Sequence, residues 1–395
     1  MEKLNLRKYF DSIIAKRLSE VEVAPKKSNQ HEFNATSAMK YLFGKEKKKY
    51  ETKFIYLCDE EEPVTCLAFM TWYDARENNP LRSEYRLFYN STPVSKLAAP
   101  GDCLFLCKLR DGTLLAVVTK KDSMMEQRIR WLFGTKPANL FETGFLNAND
   151  ASCEMIADTI LGLIGVDVRD REDTELVVNL ETVYGTRLPN FEQFCELARK
   201  RSGIEPDTQD ADEALMSWMY CQEELVCAMR RYLQKLHEQE TAEGSVDFGR
   251  MEKLINGKWQ EEALRSHMRA LLKAREIRFE VYSSGSQSFM LPGWKENHDG
   301  SYPAGRLSLI EFQTLMDDSN STAVRDRTGA PVTHVITMDP GLTAERIAAL
   351  EKRKIQPVIP SPVQKLYNGK NVFWFLSVEE LLLLLTEKQE GRYGN

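Results

Sequence analysis

The region from residue 50 to residue 135 alternates between hydrophobic and polar positions in short runs. A period of two predicts β-strands, because successive side chains of a strand point to opposite faces of the sheet. Polar or glycine-containing turns separate the runs, and this close spacing favours a small β-barrel over βαβ units. The predicted strands cover residues 53–59, 64–73, 85–90, 103–109 and 113–120, and flanking helices are predicted over 3–18, 36–43 and 123–133.

The pattern changes at residues 165–176, which are rich in charge and poor in large apolar side chains. We therefore place a domain boundary there. Beyond it, six apolar residues recur at helical spacing after Asp210 and Asp212, two residues that can cap a helix. They predict one long helix and are Leu215, Met219, Val226, Met229, Leu233 and Leu236.

The last third of the chain predicts a partly parallel sheet. A helix is predicted across residues 258–274, and strands are predicted at 277–282 and 307–313. Residues 332–359 follow a strand–helix–strand pattern, which predicts a βαβ unit. Ser377 and Glu380 have the spacing of a capping box that begins the last helix. The predicted fold class is α/β, with two domains.

The composition fits a two-domain globular protein. The chain has 395 residues, of which 42% are hydrophobic and 28% charged. Charged residues interrupt the N-terminal segment every few positions, so no signal peptide is predicted, and no apolar run is long enough to cross a bilayer. The eight cysteines form no CxxC pair. We expect them to be reduced core residues, which indicates a cytoplasmic protein.

The net charge of −6 argues against a chain that is basic throughout. DNA binding depends on local patches, so the net charge does not exclude it. Clusters of Lys and Arg occur near residues 40–49, 120–121, 128–130 and 199–201. For each cluster taken alone, a solvated surface is the favoured interpretation.

Residues 307–313 carry the most informative polar pattern. Within a strand, Glu311 and Gln313 project to one face. Asp299 lies in the loop upstream, and Glu261 on the preceding helix could add an outer carboxylate. Two carboxylates and a polar neighbour suit Mg²⁺-dependent phosphodiester hydrolysis, because carboxylate oxygens ligate Mg²⁺ and the third group positions a water. On the pattern alone, a solvated strand end is the favoured alternative.

Four stretches, in the same order, resemble the EcoRII restriction endonuclease family. They are residues 16–19, His31 with residues 41–43, residues 86–91, and the long run 332–367. The resemblance covers nearly the whole chain. It implies a β-rich, B3-like pseudobarrel with flanking helices over residues 1–165, which binds a recognition sequence as effector. A linker and helical segment then covers 166–240. A restriction-endonuclease-like α/β/α domain with a mixed sheet, of the PD-(D/E)xK fold, follows over 241–395.

The family's catalytic residues are matched only in part. The position of the family's aspartate is Ser288 here, and the position of its catalytic lysine is Gln313. The family's following arginine falls on Ser319 and its late glutamate on Asp326. The nuclease site has therefore either decayed or moved to other residues.

The N-terminal resemblance implies which residues contact DNA. Lys16, Arg17 and His31 match the family's DNA-contacting loops. Polar side chains there suit base edges, and lysines suit phosphates. The further candidates are Lys26, Lys27, Asn29 and Gln30 in the same loop, and Lys96 in a second loop that is shorter than the family's.

The favoured function is a sequence-specific DNA endonuclease that defends against foreign DNA such as that of phages. The resemblance implies a homodimer that cleaves double-stranded DNA with Mg²⁺, and a cognate DNA methyltransferase is a possible partner. We favour a moved site at Asp299, Glu311 and Gln313, since an amide can hold a water although it carries no charge. A catalytically silent DNA-binding protein is the alternative, favoured by the missing lysine. A protein–protein scaffold has only the surface charge in its favour.

Overall fold

The computed structural model describes the chain in several stretches. These are residues 6, 9–23, 31–78, 81–136, 138–144, 154–166, 174–184, 188–206, 210–239, 255, 259–284, 287–292, 310–316, 332–367 and 374–390. The chain divides into two compact units. The first comprises Met1–Val166 with Pro340–Thr343, and the second comprises Asp167–Asp339 with Ala344–Asn395.

The first unit is built on an eight-stranded sheet with the order β2-β5-β4-β3-β7-β6-β1-β8. Its strands are β1 Phe10–Arg17, β2 Glu32–Asn34, β3 Lys48–Leu57, β4 Val64–Asp74, β5 Tyr85–Tyr89, β6 Cys103–Leu109, β7 Leu114–Thr119 and β8 Glu142–Thr143. Neighbouring strands are antiparallel except β3 and β7, which are parallel. The five strands predicted between residues 50 and 135 are confirmed.

The sheet curls until its two edges meet. Phe33 lies on edge strand β2, and Phe141 immediately precedes edge strand β8. Their rings nevertheless pack edge to face with centroids 5.6 Å apart. Both belong to a single apolar core that draws residues from seven of the strands, including Ile14, Trp72 and Leu106. An open sheet wrapped around one core in this way is a pseudobarrel, as predicted.

Five helices accompany this sheet among the residues of the first unit that the structure describes. They are α1 Glu20–Val23, α2 Ser37–Phe43, α3 Pro93–Leu97, α4 Met124–Phe133 and α5 Glu154–Leu163. The helices predicted over 36–43 and 123–133 are confirmed as α2 and α4. Each begins after a hydroxyl N-cap, Thr36 for α2 and Ser123 for α4, whose side-chain oxygen accepts a backbone N–H three residues later.

The helix predicted over residues 3–18 is wrong where the structure describes this segment. Phe10–Arg17 is strand β1, which pairs with both β6 and β8. The residues from Ile13 to Lys16 are all buried, so this strand has none of the alternation that marks a half-exposed strand. Periodicity alone does not distinguish a continuously buried strand from a buried helix, and strand pairing decided the outcome.

The second unit combines a helical layer with a mixed sheet. Its helices include α6 Thr174–Tyr184, α7 Phe191–Ser202, α8 Ala211–Gln239 and α9 Trp259–Ala274, followed later in the chain by α10 Ala344–Lys352, the short α11 Ser361–Gln364 and α12 Val378–Gln389. The long helix predicted after Asp210 is α8, and it packs against α6, α7 and α9. The Asp210 carboxylate accepts the N–H groups of Asp212 and Glu213, so Asp210 caps α8 as predicted.

The sheet of the second unit has five strands in the order β13-β12-β11-β10-β9. They are β9 Phe279–Ser284, β10 Gln287–Pro292, β11 Ile310–Phe312, β12 His334–Ile336 and β13 Gln356–Val358. Strands β11, β12 and β13 are parallel to one another, whereas β9, β10 and β11 are antiparallel. The predicted βαβ unit is therefore confirmed as β12–α10–β13, with shorter strands than predicted.

Two local predictions in the second unit are also confirmed. Ser377 and Glu380 form the capping box of α12, in which each side chain accepts the other residue's backbone N–H. The helix predicted across residues 258–274 is α9, and it lies against the central strand β11, where the Arg265 guanidinium is 5.8 Å from the ring centroid of Phe312. The chain is therefore an α/β protein with two units, and α9 covers the Phe312 face of β11.

Candidate nuclease site and DNA-binding residues

Glu311 and Gln313 lie side by side at the end of the central strand of the second unit. The Gln313 Nε2 group donates a hydrogen bond of 2.8 Å to Glu311 Oε1. The two side chains therefore share one face of β11, as their spacing predicts. Both are buried, with exposed fractions of 3% for Glu311 and 6% for Gln313.

A network of backbone and side-chain hydrogen bonds fixes the strand end that follows Gln313. The Asp339 carboxylate accepts the Met316 N–H at 3.0 Å, and the Thr337 hydroxyl donates to the Thr314 carbonyl at 3.2 Å. The Asp339 N–H in turn donates to the Thr337 hydroxyl at 3.1 Å. Strands β11 and β12 are thus tied together just beyond Glu311, which restricts the position of its carboxylate.

The described residues do not by themselves complete a metal site. Within those stretches, no group of three or more His, Cys, Asp or Glu side chains is arranged to hold a metal ion. Glu261 is half-buried in the first turn of α9. Asp299 and the matched positions Ser319 and Asp326 lie outside the described residues, and Ser288 is described only as part of β10. The predicted pairing of Asp299 with Glu311 stays a prediction.

The sequence analysis did not identify two histidines that are buried in the second unit. His334 on β12 has its Nδ1 atom 2.8 Å from the Thr333 hydroxyl, and burial lowers its pKa to about 4. His267 on α9 has its Nδ1 atom 3.2 Å from the Arg199 guanidinium, and burial lowers its pKa well below the usual value. Both rings are therefore neutral near pH 7. For His334 the sequence offers one signal, an isolated histidine within an apolar run, whereas His267 has polar and charged residues among its near neighbours.

Lys16 was predicted to contact DNA, but the structure places its side chain inside the pseudobarrel. The residue is 5% exposed, and its ammonium group pairs with the Glu22 carboxylate at 2.5 Å. The same ammonium lies 5.9 Å from the ring centroid of Phe33 and 5.4 Å from that of Phe141. Because these rings come from the two sheet edges, Lys16 joins the edges and does not face a ligand here.

Arg17, which is also predicted to contact DNA, has a structural partner in the first unit. Its guanidinium binds the Glu126 carboxylate through two hydrogen bonds of 2.7 and 2.6 Å, and it donates to the Gly101 carbonyl at 3.0 Å. Glu126 is fully buried in α4. A planar guanidinium matches a carboxylate in this two-bond geometry, so the pair fixes α4 against strand β1.

The remaining DNA-binding candidates differ in how far the structure describes them. His31 is partly exposed, has a φ of +44°, and packs its ring against Tyr89 with centroids 5.4 Å apart. Lys96 is exposed in the last turn of α3. The other four, Lys26, Lys27, Asn29 and Gln30, lie outside the described residues.

The second unit is an α/β unit: it has a five-stranded mixed sheet with a carboxylate at the end of its central strand, and helices pack on that sheet. Residues 251–382 match the family model described as EcoRII C terminal. The match covers about a third of the chain. Residues 251–382 are therefore similar to the C-terminal domain of EcoRII, which supports the resemblance to that restriction endonuclease family seen in the sequence.

Among solved structures, the chain is similar to two of a protein named Ecl18kI. One, described as metal-depleted Ecl18kI in complex with uncleaved, modified DNA, has 12% identity and a TM-score of 0.40. The other, in complex with uncleaved DNA, has 14% identity and a TM-score of 0.39. Each similarity covers 56% of this chain and 86% of the other. The search of curated proteins gave no match.

Among the described residues, no helix is both long and apolar enough to cross a bilayer.

Proposed function

We propose that the protein is a sequence-specific endonuclease that cleaves double-stranded foreign DNA, as a restriction enzyme does. One observation carries this proposal: the EcoRII C-terminal match contains a carboxylate, Glu311, fixed beside a polar side chain at the end of the central strand. This is where phosphodiester hydrolysis needs an acidic group next to a group that can orient water.

Mg²⁺ is the cofactor of this proposal, because carboxylate oxygens are the ligands it prefers. Glu311 supplies one carboxylate, and Asp299 is the proposed second ligand, with Glu261 as an outer carboxylate. Gln313 holds Glu311 in place through the 2.8 Å hydrogen bond. An amide can also orient a water through hydrogen bonds, but it supplies no positive charge to the reacting phosphate.

The first unit is proposed to bind the recognition sequence. The loop that ends at His31 and includes Lys26, Lys27, Asn29 and Gln30 is the proposed reading segment, and Lys96 is a proposed phosphate contact. Lys16 supports this segment from inside the unit, since its ammonium group pairs with Glu22 of α1, the helix that precedes the segment. We further propose that the protein forms a homodimer and acts in the cytoplasm. Its proposed partner is a cognate DNA methyltransferase.

The experiment is to incubate the purified full-length protein with unmodified and with base-modified phage DNA, with and without Mg²⁺. We expect discrete fragments that require Mg²⁺. Glu311→Gln keeps the size of the side chain and should abolish cleavage while leaving DNA binding intact, because the change removes a charge from the site and not a phosphate contact.

A catalytically silent DNA-binding protein is the second candidate, and the structure contains an observation in its favour. Gln313 occupies the family's lysine position, and its amide is hydrogen-bonded to a Glu311 carboxylate that is only 3% exposed. Sequence-specific binding without cleavage of any phage DNA in Mg²⁺ or Mn²⁺ would establish this candidate in place of the endonuclease.

A further inference from the structure

Five lysines lie in and on either side of the turn between α2 and β3 of the first unit. All five are exposed, and the segment from residue 40 to residue 49 contains a single acidic residue, Glu46. Within the stretches that the structure describes, none of the five ammonium groups forms an ion pair. We call this group the lysine surface, and its members are Lys40, Lys45, Lys47, Lys48 and Lys49.

The backbone of this turn is held in place by side chains from three different strands. The Trp72 indole N–H donates to the Gly44 carbonyl at 3.1 Å, and the Tyr85 hydroxyl donates to the Lys45 carbonyl at 3.2 Å. The Lys108 ammonium donates to the Leu42 carbonyl at 3.4 Å. Three such bonds restrict the turn, so the lysines extend from a fixed backbone and less conformational entropy is lost when a ligand binds.

Three of the lysines also rest on aromatic rings. The ammonium groups of Lys40, Lys48 and Lys49 lie 5.8, 5.1 and 4.0 Å from ring centroids, those of Tyr85, Tyr50 and Phe69 respectively. A ring contacts one side of an ammonium group, and its remaining N–H groups stay available to an anion. Tyr85 contacts both the Lys40 ammonium group and the backbone of Lys45, so these two lysines are held near the same ring.

We propose that the lysine surface binds the phosphate backbone of duplex DNA without reading its sequence, an inference that rests on the proposed DNA-binding function. Adjacent ammonium groups with no carboxylate partner repel one another in the free protein, and a polyanion relieves this repulsion. Lysine is a point charge suited to phosphate, whereas base reading favours forked or amide side chains. A surface of lysines therefore adds affinity and does not select a sequence.

The position of the lysine surface fits a contact outside the reading segment. Tyr85, at one end of β5, contacts Lys40 and Lys45, and Tyr89, at the other end, contacts His31. Tyr85 and Tyr89 are four positions apart on the strand, so the two places are separated by about 13 Å. Because duplex DNA carries one charge per about 1.7 Å of its axis, a duplex at His31 also presents phosphates at that distance.

The test compares the full-length protein with the variant Lys45→Ala/Lys47→Ala/Lys49→Ala on two duplexes of unrelated sequence, across a range of salt concentrations. We expect the variant to bind both duplexes at least about tenfold more weakly at low salt. The slope of log affinity against log salt should fall by roughly 2 to 3, one counterion for each lysine removed. The triple Lys→Arg variant keeps the charge and should bind like the wild type.

Lys120→Ala/Lys121→Ala is the matched control, because these exposed lysines of the same unit already have carboxylates nearby, Glu60 and Asp122. It should change neither the affinity for DNA nor the slope against salt.

Equal binding by the wild type and the triple Ala variant would overturn this inference and leave the proposed function standing, whereas a wild type that binds no duplex would overturn the proposed function itself. Weaker binding to one duplex only, or loss of binding to phosphatidylserine vesicles with DNA binding unchanged, would also overturn it.

Discussion

The carboxylate of Asp212 accepts the backbone N–H of Val378 at 2.8 Å, although the two residues are 166 positions apart. It also accepts the N–H of Ser361 at 3.2 Å. One buried side chain in the first turn of α8 therefore caps the N-termini of α11 and α12. Burial raises the pKa of this carboxyl group, and the backbone N–H groups oppose that effect.

Removing this shared cap should destabilise the second unit. We expect Asp212→Ala to lower the free energy of unfolding by roughly 2 kcal/mol, because buried N–H groups at two helix starts lose their acceptor. Chemical denaturation of the full-length protein measures the change. Glu213→Ala, an exposed change in the same turn, should alter stability by less than about 0.5 kcal/mol. Equal stability of the two variants would contradict the capping role.

Arg17 gives a prediction that separates a structural role from a DNA-reading role. Arg17→Ala leaves the fully buried Glu126 without its main partner and should cost about 3 kcal/mol of stability. Arg17→Lys should recover only part of this, because an ammonium group cannot form both hydrogen bonds. Urea unfolding is the measurement. A stable Arg17→Ala variant that has lost DNA binding would restore the role that the sequence resemblance implies.

His334 should make stability depend on pH. Its pKa in the folded protein is about 4, below the ordinary 6.5, so the folded state favours the neutral ring. This contribution is fully present above pH 6.5 and is lost as pH falls from 6.5 towards 4. The free energy of unfolding of the wild type should therefore drop by about 2 kcal/mol more than that of His334→Gln between pH 7 and pH 5. His267 is present in both proteins, so its contribution to the pH dependence cancels in the comparison. Parallel plots of unfolding free energy against pH for the two proteins would contradict the prediction.

Gln313→Lys should preserve or raise DNA cleavage. The change restores the family's positive charge next to Glu311, and we expect a gain on the order of tenfold where the wild type already cleaves. Single-turnover cleavage with enzyme in excess measures it. Gln313→Leu, of similar size but without hydrogen-bonding groups, should lower cleavage and keep DNA binding. A lower rate in the Lys variant than in the wild type would contradict the proposed role of this position.

The full-length chain should be a dimer. Two active sites related by a two-fold axis match a palindromic or pseudo-palindromic target, and this symmetry is the commonest among soluble oligomers. Light scattering at micromolar concentration should give twice the 45.4 kDa mass of one chain, with or without DNA. A 45.4 kDa particle under both conditions would contradict the prediction.

Local patterns predicted most of the fold. The strands between residues 50 and 135, the β12–α10–β13 unit and the Ser377 capping box all depend on neighbours within a few positions, and the structure confirms them. The same local rule fixed the shared face of Glu311 and Gln313. It failed for Phe10–Arg17, because a strand buried on both faces has no alternating signal.

The sequence by itself therefore determined where most strands and helices form, and it identified Glu311 and Gln313 as neighbours. Tertiary structure decided what the charged side chains do. Arg17 reaches Glu126 across 109 positions, and Asp212 reaches Val378 across 166. A charged group must find a partner when it is buried, and which partner it finds depends on chain segments that only the folded packing brings together.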